Sequence, residues 1–143
     1  MSIKDCIKFA NENPVCYLAT SEGNQPRVRA LLFWYADETG FYLQTGSMKE
    51  LVHQLKKNPL AEICFYRQEG TAGTMMRVSG AVEFLEEKEL KAKALRDRPF
   101  LKGLGMTTPD DPKLVLFRIP KGFAYFWTMK NNLSPKEYIK FGK

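Results

Sequence analysis

The connections between residues 15 and 45 constrain this chain most, because they leave room for little except antiparallel pairing. Val15 to Ser21 (VCYLATS) is a β-branched and aromatic run closed by Glu22-Gly23-Asn24. Pro26 to Ala36 forms the next extended run, Asp37-Glu38-Thr39-Gly40 turns the chain, and Phe41 to Thr45 runs back. A parallel crossover takes roughly a dozen residues or more, and neither link supplies them. The three runs therefore predict an antiparallel meander.

Helical spacing appears on either side. Ile3, Cys6, Ile7 and Ala10 mark one apolar helix face, opened by a Ser2/Asp5 capping box and ended by Asn13-Pro14. Met48, Leu51, Val52 and Leu55 mark a second helix that stops at Asn58-Pro59. Ala61 to Arg67 and Thr74 to Leu85 read as strands across a Gly70/Gly73 turn. Gly80, inside the second of these, predicts a bulge or a sharp bend. Glu86 to Arg98 reads as a surface helix and Pro99 to Pro112 as a loop with one helical turn. Lys113 to Ile119 and Gly122 to Thr128 are the last strands, and 131–143 is a polar tail. Six or seven strands without βαβ alternation predict a mainly β single domain over 1–143, a small antiparallel barrel with peripheral helices.

Charge and cysteine content narrow the function classes. The formal charge of +6 is spread among acidic neighbours, as in EEKELKAKALRDR, and forms no basic run. That pattern marks a solvated helix face and not a nucleic-acid surface. No stretch of about 18 apolar residues occurs, so no membrane span is expected. The opening MSIKDCIKFANENP has no apolar signal-peptide core, which places the chain in the cytoplasm. Cys6, Cys16 and Cys64 are odd in number and form no CxxC, so they read as small apolar residues.

The stretch from Gln25 to Pro59 holds the residues suited to an anion. Arg27 and Arg29, two apart on a strand, leave the same face, while Val28, Ala30, Leu32 and Trp34 take the opposite side, expected to face the core. Paired guanidinium groups suit a phosphate, and they equally suit open solvent. Ser47 with Glu50 forms an S-x-x-E capping box, and the same helix start offers free amides to an anion. Lys49 opposes the helix dipole unless an anion is bound. His53, the single histidine, has no ligand-spaced companion and reads as structural. Asp110-Asp111 reads as turn chemistry. Arg77 is set opposite Met76 and Val78, which leaves it to solvent or a subunit contact. Phe123, Tyr125 and Trp127 share one face, suited to core or interface.

The succession QPRVRALLFWY, GFYLQTGSMKELVHQLKKNP, AEICFY, GTMMRVSGAVEFL resembles the FMN-binding split-barrel family typified by pyridoxamine 5′-phosphate oxidase. The compact length resembles its short, nitroimidazole-reductase (Nim-type) branch. The resemblance covers roughly residues 1 to 128. It implies a six-stranded antiparallel split barrel and a homodimer with FMN at the interface. It also implies that Arg29 opens the FMN-contacting strand, with Ala30 and Leu31 lending backbone to the ring. Gln44 and Thr45 would line the isoalloxazine and ribityl chain, and Ser47 and Lys49 would grip the phosphate with Arg27 assisting. Met75, Arg77 and Trp127 would reach the flavin from the partner subunit. Phe33-Trp34 replaces the oxidase's lysine, and its C-terminal arginine and histidine have no counterpart after Trp127. Vitamin B6 phosphates are therefore not the expected substrate.

The resemblance implies an oxidoreductase that carries electrons from NAD(P)H through FMN to a small acceptor such as a nitroaromatic or quinone. No side-chain base is required. The alternative is a non-catalytic flavin or haem carrier or sensor, for which His53 would be the axial ligand.

Overall fold

The computed structural model describes residues 1–143. Helix α1 (Ile3–Glu12) opens the chain, and the Asp5 carboxylate accepts from the Ser2 amide at 2.7 Å and the Ser2 hydroxyl at 3.2 Å. Its C-terminal turn is tied to the sheet by Asn11, whose amide exchanges two hydrogen bonds with the backbone of Ala36.

The strands divide between two antiparallel sheets. β1 (Val15–Glu22), β2 (Gln25–Leu32), β5 (Leu60–Glu69), β6 (Ala72–Ala81), β9 (Gly122–Trp127) and β10 (Ile139–Phe141) make a six-stranded sheet in the order β10-β9-β6-β5-β1-β2. β3 (Tyr35–Asp37), β4 (Gly40–Gly46), β7 (Glu83–Leu85) and β8 (Leu114–Ile119) make a four-stranded sheet in the order β3-β4-β8-β7. Helix α2 (Glu50–Lys57) packs on β1, while α3 (Lys88–Asp97) and α4 (Phe100–Gly103) belong to the other sheet. None of these helices is long and apolar enough to cross a membrane.

Alternation builds the layers. Leu18, Ile63, Phe65, Met76, Val78 and Ala124 leave the six-stranded sheet on one side and meet Phe41, Leu43, Phe117 and Ile119 of the four-stranded sheet. Phe33 plugs this core with its ring edge-to-face on Phe65 at 5.0 Å. The reverse side of the four-stranded sheet carries Tyr42, Leu114 and Leu116 against Ala94, Leu95 and Leu101 of the helices. The outer face of the six-stranded sheet leaves Val15, Tyr17, Val28 and Tyr66 exposed.

Ten strands form because two expected ones break and one was not expected. The run from Pro26 to Ala36 stops at Leu32, and Tyr35 starts a strand of the other sheet. At the crossing the Phe33 amide donates to Pro14 O at 2.6 Å, and Arg98 donates to Leu32 O at 3.1 Å. The expected three-strand meander is thus corrected, because β2 pairs with β1 alone and β3 pairs with β4. The assignment of Val28, Ala30, Leu32 and Trp34 to the core is corrected with it. Val28 is 69% exposed and Leu32 47%, whereas Trp34 packs on Tyr35 and Tyr42 in the second cluster.

The run from Thr74 to Leu85 also crosses between sheets, at Val82. Gly80 sits beside this break, where any Cβ would collide with Lys121 O, and Gly122 meets Ser79 O across the same contact at φ 157°. The tail is not wholly irregular. Ile139–Phe141 pairs with β9, and Phe141 buries its ring on Phe41 at 5.2 Å.

Candidate functional site

Arg27 and Arg29 leave β2 toward the same side, as their spacing requires, yet they meet different surroundings. Thr20 stands opposite Arg27 and Leu18 opposite Arg29 in the β1–β2 register. Arg27 lies largely in solvent and donates to Glu22 Oε1 at 2.8 and 3.1 Å, which holds that carboxyl below its ordinary range. Arg29 is half-buried and donates to Leu18 O at 3.2 Å, Thr20 Oγ1 at 2.8 Å and Gln54 Oε1 at 2.7 Å. All three acceptors are neutral. Burial draws the Arg29 guanidinium down from its ordinary value, with Glu50 of α2 opposing that shift.

Gln54 completes the corner. Its Oε1 also accepts from the Thr20 hydroxyl at 2.6 Å, and both residues are buried. The Gln54 amide nitrogen is buried without an acceptor. Thr20 and Gln54 were not among the expected site residues. Their signals were present: hairpin register fixes Thr20 beside the arginines, and Gln54 is the polar interruption in the apolar stripe of α2.

The turn before α2 differs from expectation at its cap. The helix starts at Glu50 with Lys49 as N-cap and no side-chain capping bond, so the Ser47/Glu50 capping box does not form. Ser47 instead fixes the turn by its backbone, donating its amide to Lys113 O at 2.9 Å. Its hydroxyl makes no hydrogen bond, and the Lys49 ammonium is exposed and pairs with no carboxylate. The Lys49 amide donates to Gly46 O at 3.0 Å, and a Cβ at Gly46 would strike Met48 Sδ at 2.6 Å. Gln44 and Thr45 are neighbours on β4 and so face opposite sides of its sheet. Thr45 is buried, and Gln44 Oε1 is buried without a donor.

The remaining expected residues lie on the other side of the six-stranded sheet. Arg77 forms an ion pair with Glu62, donates to the Tyr125 hydroxyl at 2.7 Å, and is raised chiefly by Glu62. Met75 stands opposite Trp127 in the register, and the Trp127 indole donates to Asn132 Oδ1 at 2.7 Å. Ala30 also faces outward on β2, and Leu31 turns toward the core. His53 is exposed on α2. Arg29 is therefore joined to Gln54 of α2, with Glu50 of the same helix near enough to act on its charge, while Met75, Arg77 and Trp127 are separated from them by a sheet.

A family model described as pyridoxamine 5′-phosphate oxidase matches residues 3–120. The chain belongs to that family. Its fold agrees with a NimC/NimA family protein from Clostridium acetobutylicum, at 30% identity and TM-score 0.80, over 96% of this chain and 92% of that one. This relative places the oxidase-family chain with the Nim-type branch. A FAD-binding protein from Mesorhizobium loti shares the fold at 22% identity and TM-score 0.66, over 88% of this chain and 94% of that one. The haem storage protein HutZ from Vibrio cholerae shares it at 18% and 0.66, over 99% and 98%. No curated protein matches. Within the oxidase-family match fall the arginine strand, the turn to α2 and β6, whereas Trp127 and the tail lie beyond it.

Proposed function

We propose that this oxidase-family chain is an FMN-binding oxidoreductase that passes electrons from NAD(P)H to a small acceptor such as a nitroaromatic or quinone. The observation that carries the reading is Arg29, a half-buried cation whose hydrogen bonds all go to neutral acceptors. Beside it the Gln54 amide nitrogen lacks an acceptor, and the start of α2 supplies free amides. An anion in this corner meets donors from several directions.

The residues fit the terminal phosphate and ring of FMN. Arg29 would hold the phosphate with the Ser47 hydroxyl and the Lys49 ammonium, both unpaired, and Arg27 would assist from its Glu22 pair. Ala30 and Leu31 lie on β2, the edge strand of its sheet, where alternate backbone groups are free to meet a ring. Gln44 Oε1, an acceptor without a donor, suits the imide N–H of a flavin, and Thr45 would border the chain leading to the phosphate. Bound flavin supplies the redox chemistry, and the protein's part is to bind, orient and shield it.

Met75, Arg77 and Trp127 would contact the same flavin only if a second copy of the chain brought their face to it. The exposed Val28, Tyr17 and Leu32 provide an apolar surface for such a homodimer. The haem reading rests on His53, which is solvent-exposed, and the donor-rich corner favours an anionic phosphate over it. The absorption spectrum of the purified protein, before and after NADPH, tests the proposal. Flavin bands that bleach on reduction are expected; a Soret band, or a colourless protein that FMN titration leaves unchanged, contradicts it.

A further inference from the structure

The two arginines of β2 are half of a pattern that the fold does not complete. Side chains two apart on a strand leave one face with their Cα atoms roughly 7 Å apart. The Arg27 and Arg29 forks together could therefore clamp two adjoining phosphates. One fork is already taken. Arg27 donates through Nε and Nη2 to a single oxygen, Glu22 Oε1, at 3.1 and 2.8 Å. The Gly23-Asn24 turn makes this pairing possible by setting Glu22 opposite Gln25, at the end of the hairpin where β2 begins. The Glu22 carboxylate also leans toward the Gln54 corner. Arg27 holds it below its ordinary range, and the Gln54 amide, beyond hydrogen-bond distance, and Lys57 add to that pull from farther away. Arg29 donates to neutral acceptors alone. The strand thus presents one cation open to an anion and one already matched by a carboxylate.

That difference bears on which flavin the corner takes, and so rests on the flavin reading above. FMN ends in a phosphomonoester, which gathers about two negative charges on one phosphorus near neutral pH. FAD spreads its charge over two linked phosphates and continues into an adenylate. With one phosphate of FAD on Arg29, the other would come to Arg27 and meet the Glu22 carboxylate there, like charge against like. We infer that Glu22 is a specificity-determining residue: it fills the second half of the arginine pair and restricts the site to a single terminal phosphate, favouring FMN over FAD.

Calorimetric titration of the cofactor-free protein with FMN and with FAD, at low salt, tests it. The native protein should bind FMN at least tenfold more tightly than FAD. Glu22→Gln should shrink that ratio by roughly fivefold or more, chiefly by strengthening FAD, and the change should fade as salt screens the charges. FMN gains less, since Arg27 only assists its phosphate. Adding Arg27→Met should remove most of the gain, because the freed guanidinium supplies it. Glu22 and Arg27 are a half-exposed surface pair, so both variants should keep the native circular dichroism. If the native protein binds neither flavin, the flavin reading falls and this inference with it. If FMN binds but FAD binds as tightly, or if Glu22→Gln leaves the ratio unchanged, this inference alone is overturned.

Discussion

Arg29 and Arg77 sit on opposite faces of one sheet, and their surroundings differ in the way that separates a ligand-ready cation from a structural one. Arg77 has Glu62 as counter-ion and Tyr125 as a second partner, so its charge is balanced within the fold. Arg29 is desolvated and has neutral partners alone, next to a second donor, the Gln54 amide, that has none. A desolvated cation without a counter-ion costs stability. The fold retains that cost where Arg29 of β2 meets Thr20 of β1 and Gln54 of α2, and again at Arg98, whose buried guanidinium donates to Leu32 O. Arg67 and Arg118, each paired with a glutamate, fall with Arg77 on the structural side.

The largest expected effect breaks this comparison directly. Arg29→Met should raise the FMN dissociation constant by roughly a hundredfold, the loss of two charge-assisted bonds, as read by flavin fluorescence titration. Thr20 and Gln54 still bond to each other in that variant, so the fold should persist by circular dichroism. Arg77→Met should cost less FMN affinity and more thermal stability, because it leaves Glu62 unpaired. The reverse order would remove the distinction between the two arginines.

A smaller effect probes the outer face itself. Val28 is exposed and apolar, so Val28→Glu should leave the melting temperature nearly unchanged while weakening self-association by roughly tenfold or more. Sedimentation velocity reads the outcome, and an unchanged dimer would place the contact elsewhere. The smallest effect calibrates an ordinary surface pair. Lys93, at 2.6 Å, and then the Trp34 indole, at 3.0 Å, hold the Asp97 carboxyl below its ordinary value. Its contribution is therefore complete above the unfolded-state value and is lost as pH falls through the depressed one. For so exposed a pair it amounts to no more than roughly 1 kcal/mol. Acid unfolding of Asp97→Asn should lack that increment, and an identical acid limb would show that the pair contributes nothing.

Much of the local structure was legible in the sequence. Helix faces, the Ser2/Asp5 cap, the Gly23 and Gly40 turns and the antiparallel sense all follow from spacing and turn chemistry. What stayed hidden was which face of β2 is covered. Val28, Ala30 and Leu32 alternate as a core-facing set would, but alternation identifies two faces without naming the one that another layer covers. The crossings at Phe33 and Val82 were hidden too, because a strand that passes from one sheet to another needs no turn residue. β10 is short and set in a polar segment, so only Phe141 finding Phe41 reveals it. At the site, the arginine pair and Lys49 were legible. That Arg29 hydrogen-bonds to neutral acceptors alone was not, since it depends on where α2 lies.

The most direct test of the central claim is to titrate the cofactor-free protein with FMN and with riboflavin, before and after Lys49→Ala. The account predicts that FMN binds at least tenfold more tightly than riboflavin, and that Lys49→Ala narrows the gap by weakening FMN alone, since charge-assisted contacts are worth roughly 1.5–3 kcal/mol each. Equal affinity for the two ligands, or an equal loss of both in the variant, would contradict a phosphate site at the start of α2.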